Sequence, residues 1–207
     1  MAGELNIVIV GLTGQGVVMA TRMLSTALLA DGNKVLVADV PPVSHRYTMS
    51  YSFLRTGDGI QSATISEGEA DLIIGFEPFE CLKVGSIYAR EGGMVLMNDR
   101  AIDTRVLPIQ LAEASGYKYP SVDEIKGHFR SLGVDRVEAV EASEIAHEEV
   151  GRRVAANMVM LGAAYATDVL PVKLETLENI VEHFSPAGTA EKNLKAFRSG
   201  LQALHGR

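Results

Sequence analysis

Leu5-Asn6-Ile7-Val8-Ile9-Val10-Gly11-Leu12-Thr13-Gly14-Gln15-Gly16-Val17 is the stretch that decides the fold. An apolar run of strand length breaks at glycines into Val17 to Leu29, where Val18, Met23, Leu24 and Leu28 recur at helical spacing. A strand that becomes a helix through glycines leaves backbone N–H groups and the positive end of a helix dipole at the carboxyl edge of a sheet, where anions bind. The turn departs from the dinucleotide fingerprint, which has glycine at its first, third and sixth places, because the third is Thr13. Gly11, Thr13, Gly14, Gln15 and Gly16 are therefore the candidate cofactor-binding residues, and a tight turn without ligand is the plain alternative.

Outward from this turn, Asp31-Gly32-Asn33 stops the helix and Lys34 to Asp39 reads as a strand. That completes a β-α-β unit, which predicts a right-handed crossover and two adjacent parallel strands. Met49 to Arg55 and Ile60 to Ile65 flank Thr56-Gly57-Asp58-Gly59 and read as a hairpin, so the sheet is expected to be mixed. Ala70 to Phe76 is a buried-type strand, Pro78 opens a helix to about Arg90, Gly92-Gly93 ends it, and Met94 to Asn98 is a further strand. Asp99 to Ser121 is irregular, with Pro108, Gly116 and Pro120. Ser121 to Leu132 has a capping box, Ser121 with Glu124, and Arg136 to Val140 is the last strand. From Ser143 onward the pattern is helical: Ala146 to Tyr165, Lys173 to His183 and Ala187 to Leu204. The expected fold is α/β, a three-layer α/β/α Rossmann-like sandwich with a mixed, mainly parallel sheet and a C-terminal helical run, in one domain spanning 1–207.

Composition narrows the function classes. A net charge of −7 offers no basic face to neutralise phosphates along a nucleic acid. No apolar stretch reaches the roughly 20 residues that span a bilayer, and the N-terminus lacks the pattern of an export signal, so a cytoplasmic location is expected. The one cysteine, Cys81, excludes an intrachain disulfide and an iron–sulfur cluster held by this chain alone. His45, His128, His147, His183 and His205 form no pair at i, i+4 spacing, so no metal site is expected. Gly57-Asp58-Gly59 has the opening of a thiamine-diphosphate motif, but no asparagine lies between Asn33 and Asn98 to complete it, and a turn explains it better. No Gly-x-Ser-x-Gly elbow occurs, and no lysine follows the glycine turn at phosphate-loop spacing.

Ser44-His45-Arg46 follows the second strand at the edge where doubly wound sheets bind ligands. Arg46 could hold a carboxylate or phosphate, and His45 could donate or carry a proton. A polar surface loop is the other reading. Glu77 closes the same edge, either facing substrate or simply sitting where the helix dipole favours a carboxylate.

Together these pieces resemble the gamma-type subunit of 2-oxoacid:ferredoxin oxidoreductases, most closely the small beta subunit of indolepyruvate:ferredoxin oxidoreductase. The likeness rests on Gly14-Gln15-Gly16-Val17, Ser44 and Arg46, Glu67-Gly68-Glu69-Ala70-Asp71, and Gly75-Phe76-Glu77-Pro78. It continues in Tyr119-Pro120, Asn157-Met158 with Leu161-Gly162-Ala163, and Asn193-Leu194-Lys195-Ala196-Phe197.

The resemblance implies a non-cluster subunit of an enzyme that oxidatively decarboxylates a 2-oxoacid, forms an acyl-CoA and reduces ferredoxin. Thiamine diphosphate and iron–sulfur clusters would then sit on a large partner subunit, while the glycine turn and the Arg46 loop wall part of the active site or the coenzyme A channel. The isolated chain could pair as a homodimer through the surfaces that meet that partner. Two departures stand out. The family turn usually reads Gly-x-Gly-Gly-Gln-Gly, with Thr13 here in a glycine's place, and the family loop usually reads Gly-Met-Ser-Gln-Arg-Gly-Gly, of which Ser44 and Arg46 match. Two other functions compete: a free-standing oxidoreductase binding a nucleotide cofactor at the turn, with Asp39 near the distance for a ribose contact, and a scaffold or nucleotide-sensing subunit without catalysis.

Overall fold

A computed structural model describes residues 3–42, 48–102 and 118–204. Strand β1 (Leu5–Leu12) leads into helix α1 (Val17–Ala30), then β2 (Val35–Val40) and β3 (Met49–Thr56). Next come β4 (Ala70–Gly75), α2 (Pro78–Tyr88), β5 (Ala89–Asn98), α3 (Val122–Ser131) and β6 (Arg136–Val140). The C-terminal part holds α4 (Ala142–Val150), a 3-10 turn (Arg153–Ala155), α5 (Ala156–Tyr165), α6 (Leu174–Phe184) and α7 (Ala190–Ala203).

The six strands lie in the order β2-β3-β1-β4-β5-β6. β1, β4, β5 and β6 run parallel, and β3 is antiparallel to both neighbours. The mixed sheet is as expected, but two local expectations fail for one reason. β3 inserts between β1 and β2, from Leu5↔Thr56 to Leu12↔Met49 on one side and from Val35↔Thr56 to Val40↔Tyr51 on the other. The strands of the first β-α-β unit are therefore not adjacent. With both edges of β3 paired, no edge remains for a hairpin partner, and residues 60–65 form no strand. Ile60 and Ile65 are buried instead, and Lys34 Nζ donates to the Ile60 carbonyl at 2.6 Å.

Alternation along β1 divides the core. Ile7 and Ile9 face a layer that includes Met23 and Leu24 of α1, Val159 of α5 and Phe197 of α7. Val8 and Val10 face Cys81 and Val84 of α2 and Ile125 and Phe129 of α3. A strand buried on both faces reads as one continuous apolar run, which is how β1 looks in the sequence. Phe129 and Phe197 are fully buried, one in each layer, each contributing about 2–3 kcal/mol of apolar burial.

The helical run differs from its expected form. Gly151, in left-handed backbone with φ 73°, ends α4, and the 3-10 turn re-aims the chain before α5, so Ala146 to Tyr165 is two helices rather than one. Likewise α2 ends at Tyr88, and Gly92-Gly93 lies inside β5 rather than closing the helix. α5 and α7 cross in direct backbone contact: a Cβ on Gly162 would stand 2.0 Å from the Phe197 carbonyl oxygen, and one on Gly200 would stand 2.0 Å from that of Val159. The crossing brings the start of α7 beside the start of α5, over the carboxyl edge of the sheet.

Candidate functional site

The glycine turn is held by its own side chains. Gln15 Oε1 accepts from the Leu12 amide at 2.6 Å, and Gln15 Nε2 donates to the Phe76 carbonyl at 3.1 Å, tying the end of β1 to the end of β4. Thr13 turns the other way, its amide and hydroxyl both donating to the Thr48 carbonyl at 2.9 Å. The threonine that departs from the glycine fingerprint thus fastens the turn to the start of β3. Gly11 lies beneath, where a Cβ would stand 2.8 Å from Gln15 Oε1 and 2.9 Å from Phe76 Cβ. Gly14 and Gly16 take φ of 92° and 87°, which side chains rarely adopt.

These bonds leave the start of α1 open. Gly16 caps it without a side-chain hydrogen bond, and its first turn holds no acidic residue. The leading amides of α1 have no acceptor within their own helix. Asn157, from α5, lies against Gly16, with Nδ2 2.4 Å from where a Gly16 Cβ would be. Asn157 is 9% exposed, its Oδ1 accepts from the Met158 amide at 3.0 Å, and its Nδ2 has no hydrogen-bond partner among the described residues.

Two cavities meet here, of about 220 and 190 Å³. Gly14, Gln15, Val154 and Asn157 line both. The larger reaches Gly16, Met19, Arg152 and Lys192, and the smaller reaches Phe76, Asn98, Arg100, Ile102, Ser143 and Arg153. Among the described residues, four cations and no carboxylate line them, in a chain whose net charge is −7. Arg153 also pairs with Glu144 at 3.2 Å. Val154 is 64% exposed between the two cavities. At the back wall Asn98 donates to the Phe76 carbonyl at 3.2 Å and to Ser143 Oγ at 3.0 Å and accepts from the Ser143 amide at 3.2 Å, joining the ends of β4, β5 and β6.

Glu77, at the end of β4, is buried with 1% exposure. Its Oε2 caps α2 by accepting from the Glu80 amide at 2.8 Å. Its Oε1 accepts from the Ile102 amide at 3.1 Å and from the Tyr119 hydroxyl. Burial pushes the Glu77 carboxyl above the usual carboxylate range, against the pull of its hydrogen bonds. The Cys81 thiol, fully buried and near Glu77, is pushed far up and is therefore an inert core group.

The sequence-derived candidates thus fall into three groups. Gly11, Thr13, Gly14, Gln15 and Gly16 form the turn at the sheet's carboxyl edge, where the cavities open. Glu77 stands on the same edge but engages Ile102 and Tyr119. Ser44, His45 and Arg46 lie outside the described residues. The cations that line the cleft, Arg100, Arg152, Arg153 and Lys192, were not singled out from sequence, because they come from just after β5, from the 3-10 turn and from the start of α7, which meet only in the folded chain. The dipeptide Arg152-Arg153 just before a motif containing Asn157 was the available signal. Asp39, the candidate ribose contact, accepts instead from Ser52 Oγ at 2.6 Å, on a strand separated from β1 by β3. A dinucleotide fingerprint relies on the second strand lying beside the first, so this topology counts against the nucleotide reading.

Comparison with known proteins bears on the same point. Residues 6–203 match the model of the family described as pyruvate ferredoxin/flavodoxin oxidoreductase. The chain belongs to this family. It is 34% identical over 200 residues to the indolepyruvate oxidoreductase subunit IorB of Pyrococcus horikoshii, covering 97% of this chain and 96% of that one. It is 28% identical to the 2-oxoglutarate synthase subunit KorC of Methanocaldococcus jannaschii, covering 93% and 89%. The gamma subunit of a keto/oxoacid ferredoxin oxidoreductase from Geobacter sulfurreducens has the same fold, with TM-score 0.72, 23% identity and coverage of 99% and 98%. A 2-oxoglutarate:ferredoxin oxidoreductase from Magnetococcus marinus, solved with 2-oxoglutarate, coenzyme A and succinyl-CoA, contains the fold within 32% of its chain, with TM-score 0.71 and 16% identity. The fold thus occurs both as a separate subunit and within a longer chain. Among the described residues no helix is long and apolar enough to cross a membrane, and no cluster of three or more His, Cys, Asp or Glu could hold a metal.

Proposed function

We propose that this protein is the small, non-cluster subunit of an indolepyruvate-type 2-oxoacid:ferredoxin oxidoreductase, one gamma-type domain over residues 1–207, and that its cleft binds the phosphates of coenzyme A. In the assembled enzyme a 2-oxoacid loses carbon dioxide, its acyl group passes to the coenzyme A thiol, and two electrons leave through iron–sulfur clusters to ferredoxin. The observation that carries the cleft assignment is its lining: among the described residues, four cations, no carboxylate, and a helix start without a side-chain cap beneath them.

Thiamine diphosphate and the clusters do not fit this chain. Its one cysteine is buried, Gly57-Asp58-Gly59 sits on a turn with no metal-ligand cluster among the described residues, and both groups belong on a large partner subunit. Coenzyme A fits better. The leading amides of α1 with Asn157 Nδ2 would hold one phosphate group, with Arg152 and Lys192 supplying charge, while Arg100 and Arg153 serve the second cavity. Val154, exposed between the two, would then lie against the partner or the ligand. Ser44, His45 and Arg46, candidates from the sequence alone, would contact the substrate or the partner subunit. Bound there, coenzyme A supplies the thiol that accepts the acyl group. The four cations hold its anionic end.

The test is co-expression with the large subunit of the same operon or genome, followed by co-purification and 2-oxoacid-dependent dye reduction with and without coenzyme A. Joint purification with coenzyme A-dependent turnover is the expected result. Failure to associate with any thiamine-binding subunit would sink the subunit assignment. Association with turnover unchanged by R152A and K192A would sink the cleft assignment alone.

A further inference from the structure

Glu77 has more bonds than a helix cap needs. Ile102 follows β5 and Tyr119 precedes the Ser121 cap of α3, yet both bond the same carboxylate oxygen. The Tyr119 hydroxyl also accepts from the Phe79 amide at 3.2 Å, so Tyr119 bridges the first turn of α2 and the Glu77 carboxylate. Phe79 and Tyr119 pack ring to ring at 5.5 Å, which sets the phenol in place. Ile102 and Arg100 form one wall of the smaller cavity. A bond to the Ile102 backbone therefore acts on the shape of that cavity, although Glu77 does not line it.

We propose that Glu77 is a positioning residue: by joining the Ile102 backbone and the Tyr119 hydroxyl through one carboxylate oxygen, it holds these two points of the chain together and sets the Arg100–Ile102 wall of the smaller cavity. This role does not depend on which ligand the cleft takes.

The arrangement responds to pH in a definite direction. Glu77 faces Glu80 and Cys81 on α2 and Tyr119 ahead of α3, and Lys83 pairs with Glu80 at 2.7 Å. Burial first, and the Glu80 charge last, raise the Glu77 carboxyl above its ordinary value, and its three hydrogen bonds only partly offset this. A group whose proton is held more tightly in the closed arrangement favours that arrangement when protonated. The buried arrangement as a whole is therefore favoured at low pH and disfavoured as pH rises through the Glu77 titration, while the three hydrogen bonds themselves favour the ionised carboxylate.

Native-state hydrogen exchange on the full chain, read as protection factors at the amides of Ile102, Phe79 and Glu80, tests this. Glu77→Ala is expected to lower protection at Ile102 about tenfold, the scale of one lost hydrogen bond to a charged group. Glu77→Gln, neutral and still an acceptor, is expected to restore most of that protection and to abolish the fall in Ile102 protection with rising pH expected of the unaltered chain. Tyr119→Phe removes one arm without touching the α2 cap and is expected to expose Phe79. Should Glu77→Ala fail to fold, Glu77→Gln and Tyr119→Phe carry the test. A Glu77 that served only as a helix cap would lose protection at Glu80 and not at Ile102. That pattern, or a pH slope at Ile102 that persists in Glu77→Gln, would overturn the proposal.

Discussion

Two strand-to-helix turns stand side by side on the same edge of this sheet and solve the same problem in opposite ways. The turn from β4 into α2 carries its own anion, Glu77, which caps the helix and is buried over it. The turn from β1 into α1 carries none: Gly16 offers no side chain, no acid follows, and Thr13 and Gln15 bond away from the helix start. One helix N-terminus is closed from within and the other is left for something outside. A third case makes the pattern clearer. Asp31, at the end of α1, accepts from the Lys173 amide at 2.6 Å and from Thr176 Oγ1 at 2.7 Å and so caps α6 from another helix. Its carboxyl is lowered by those hydrogen bonds, whereas that of Glu77 is raised by burial. Similar partners, with different access to water, give opposite shifts.

Breaking the open turn should have the largest effect. Gly16→Val puts a β-branched side chain at φ 87° with its Cβ against Asn157, which is expected to cost about 3 kcal/mol in urea melts and to abolish coenzyme A-dependent turnover. Removing the charge around it without altering the backbone is the next largest change. In the assembled enzyme, Arg152→Ala with Lys192→Ala is expected to raise the KM for coenzyme A about tenfold or more, the scale of charge-assisted hydrogen bonds, with the melting temperature unchanged because both side chains lie at the cavity rim. Equal KM values would reassign the cleft to a protein contact.

Giving the open turn an anion of its own tests the comparison most directly. Val18 is part-exposed in the first turn of α1, and Val18→Glu is expected to leave stability level or raise it by about 0.5 kcal/mol while weakening coenzyme A binding several-fold; a loss of stability with unchanged binding would mean that the helix start needs no outside anion. The smallest effect belongs to the borrowed cap. Asp31 holds its proton less tightly in the folded chain, so its contribution is present above the ordinary aspartate range and is lost as pH falls through its lowered value. Urea melts from pH 6 to pH 2 should show Asp31→Asn with a shallower acid loss than the unaltered chain. For Glu77 the sign reverses, and stability is lost as pH rises through its raised value.

Much of this was legible in the chain. β1, β4 and the second half of β5 announced themselves as apolar runs, the Ser121–Glu124 capping box formed as its spacing implies, with both reciprocal bonds present, and Pro78 opened α2. The glycine turn lay where the sequence placed it. What misled was local adjacency. Residues 60–65 have strand composition, yet a strand also needs a free edge, and β3 had already given both of its edges to β1 and β2. The same insertion separated β1 from β2 and with it Asp39 from the turn. Gly151 was the missed stop inside an otherwise helical pattern, since a single glycine within such a pattern reads as tolerated until its positive φ is seen.

By itself, then, the sequence determined the alternation of apolar strands and amphipathic helices, the glycine turn at a carboxyl edge, the absence of thiol and histidine sets for a cluster or metal, and the motifs that mark the family. These are carried by residues close together in the chain, where periodicity and turn chemistry act directly. Only the tertiary structure decided which strand lies beside which, that Gln15 bonds to Phe76 and Thr13 to Thr48, that Glu77 holds Ile102 and Tyr119, and that Arg100, Arg152, Arg153 and Lys192 share one cleft with no carboxylate among its described lining residues. Those outcomes depend on contacts between segments far apart in sequence, above all the close crossing of α5 and α7 at Gly162 and Gly200 and the placement of β3 in the sheet. No local pattern encodes them, because the free energy that selects them comes from burying surfaces that meet only when the whole chain has packed.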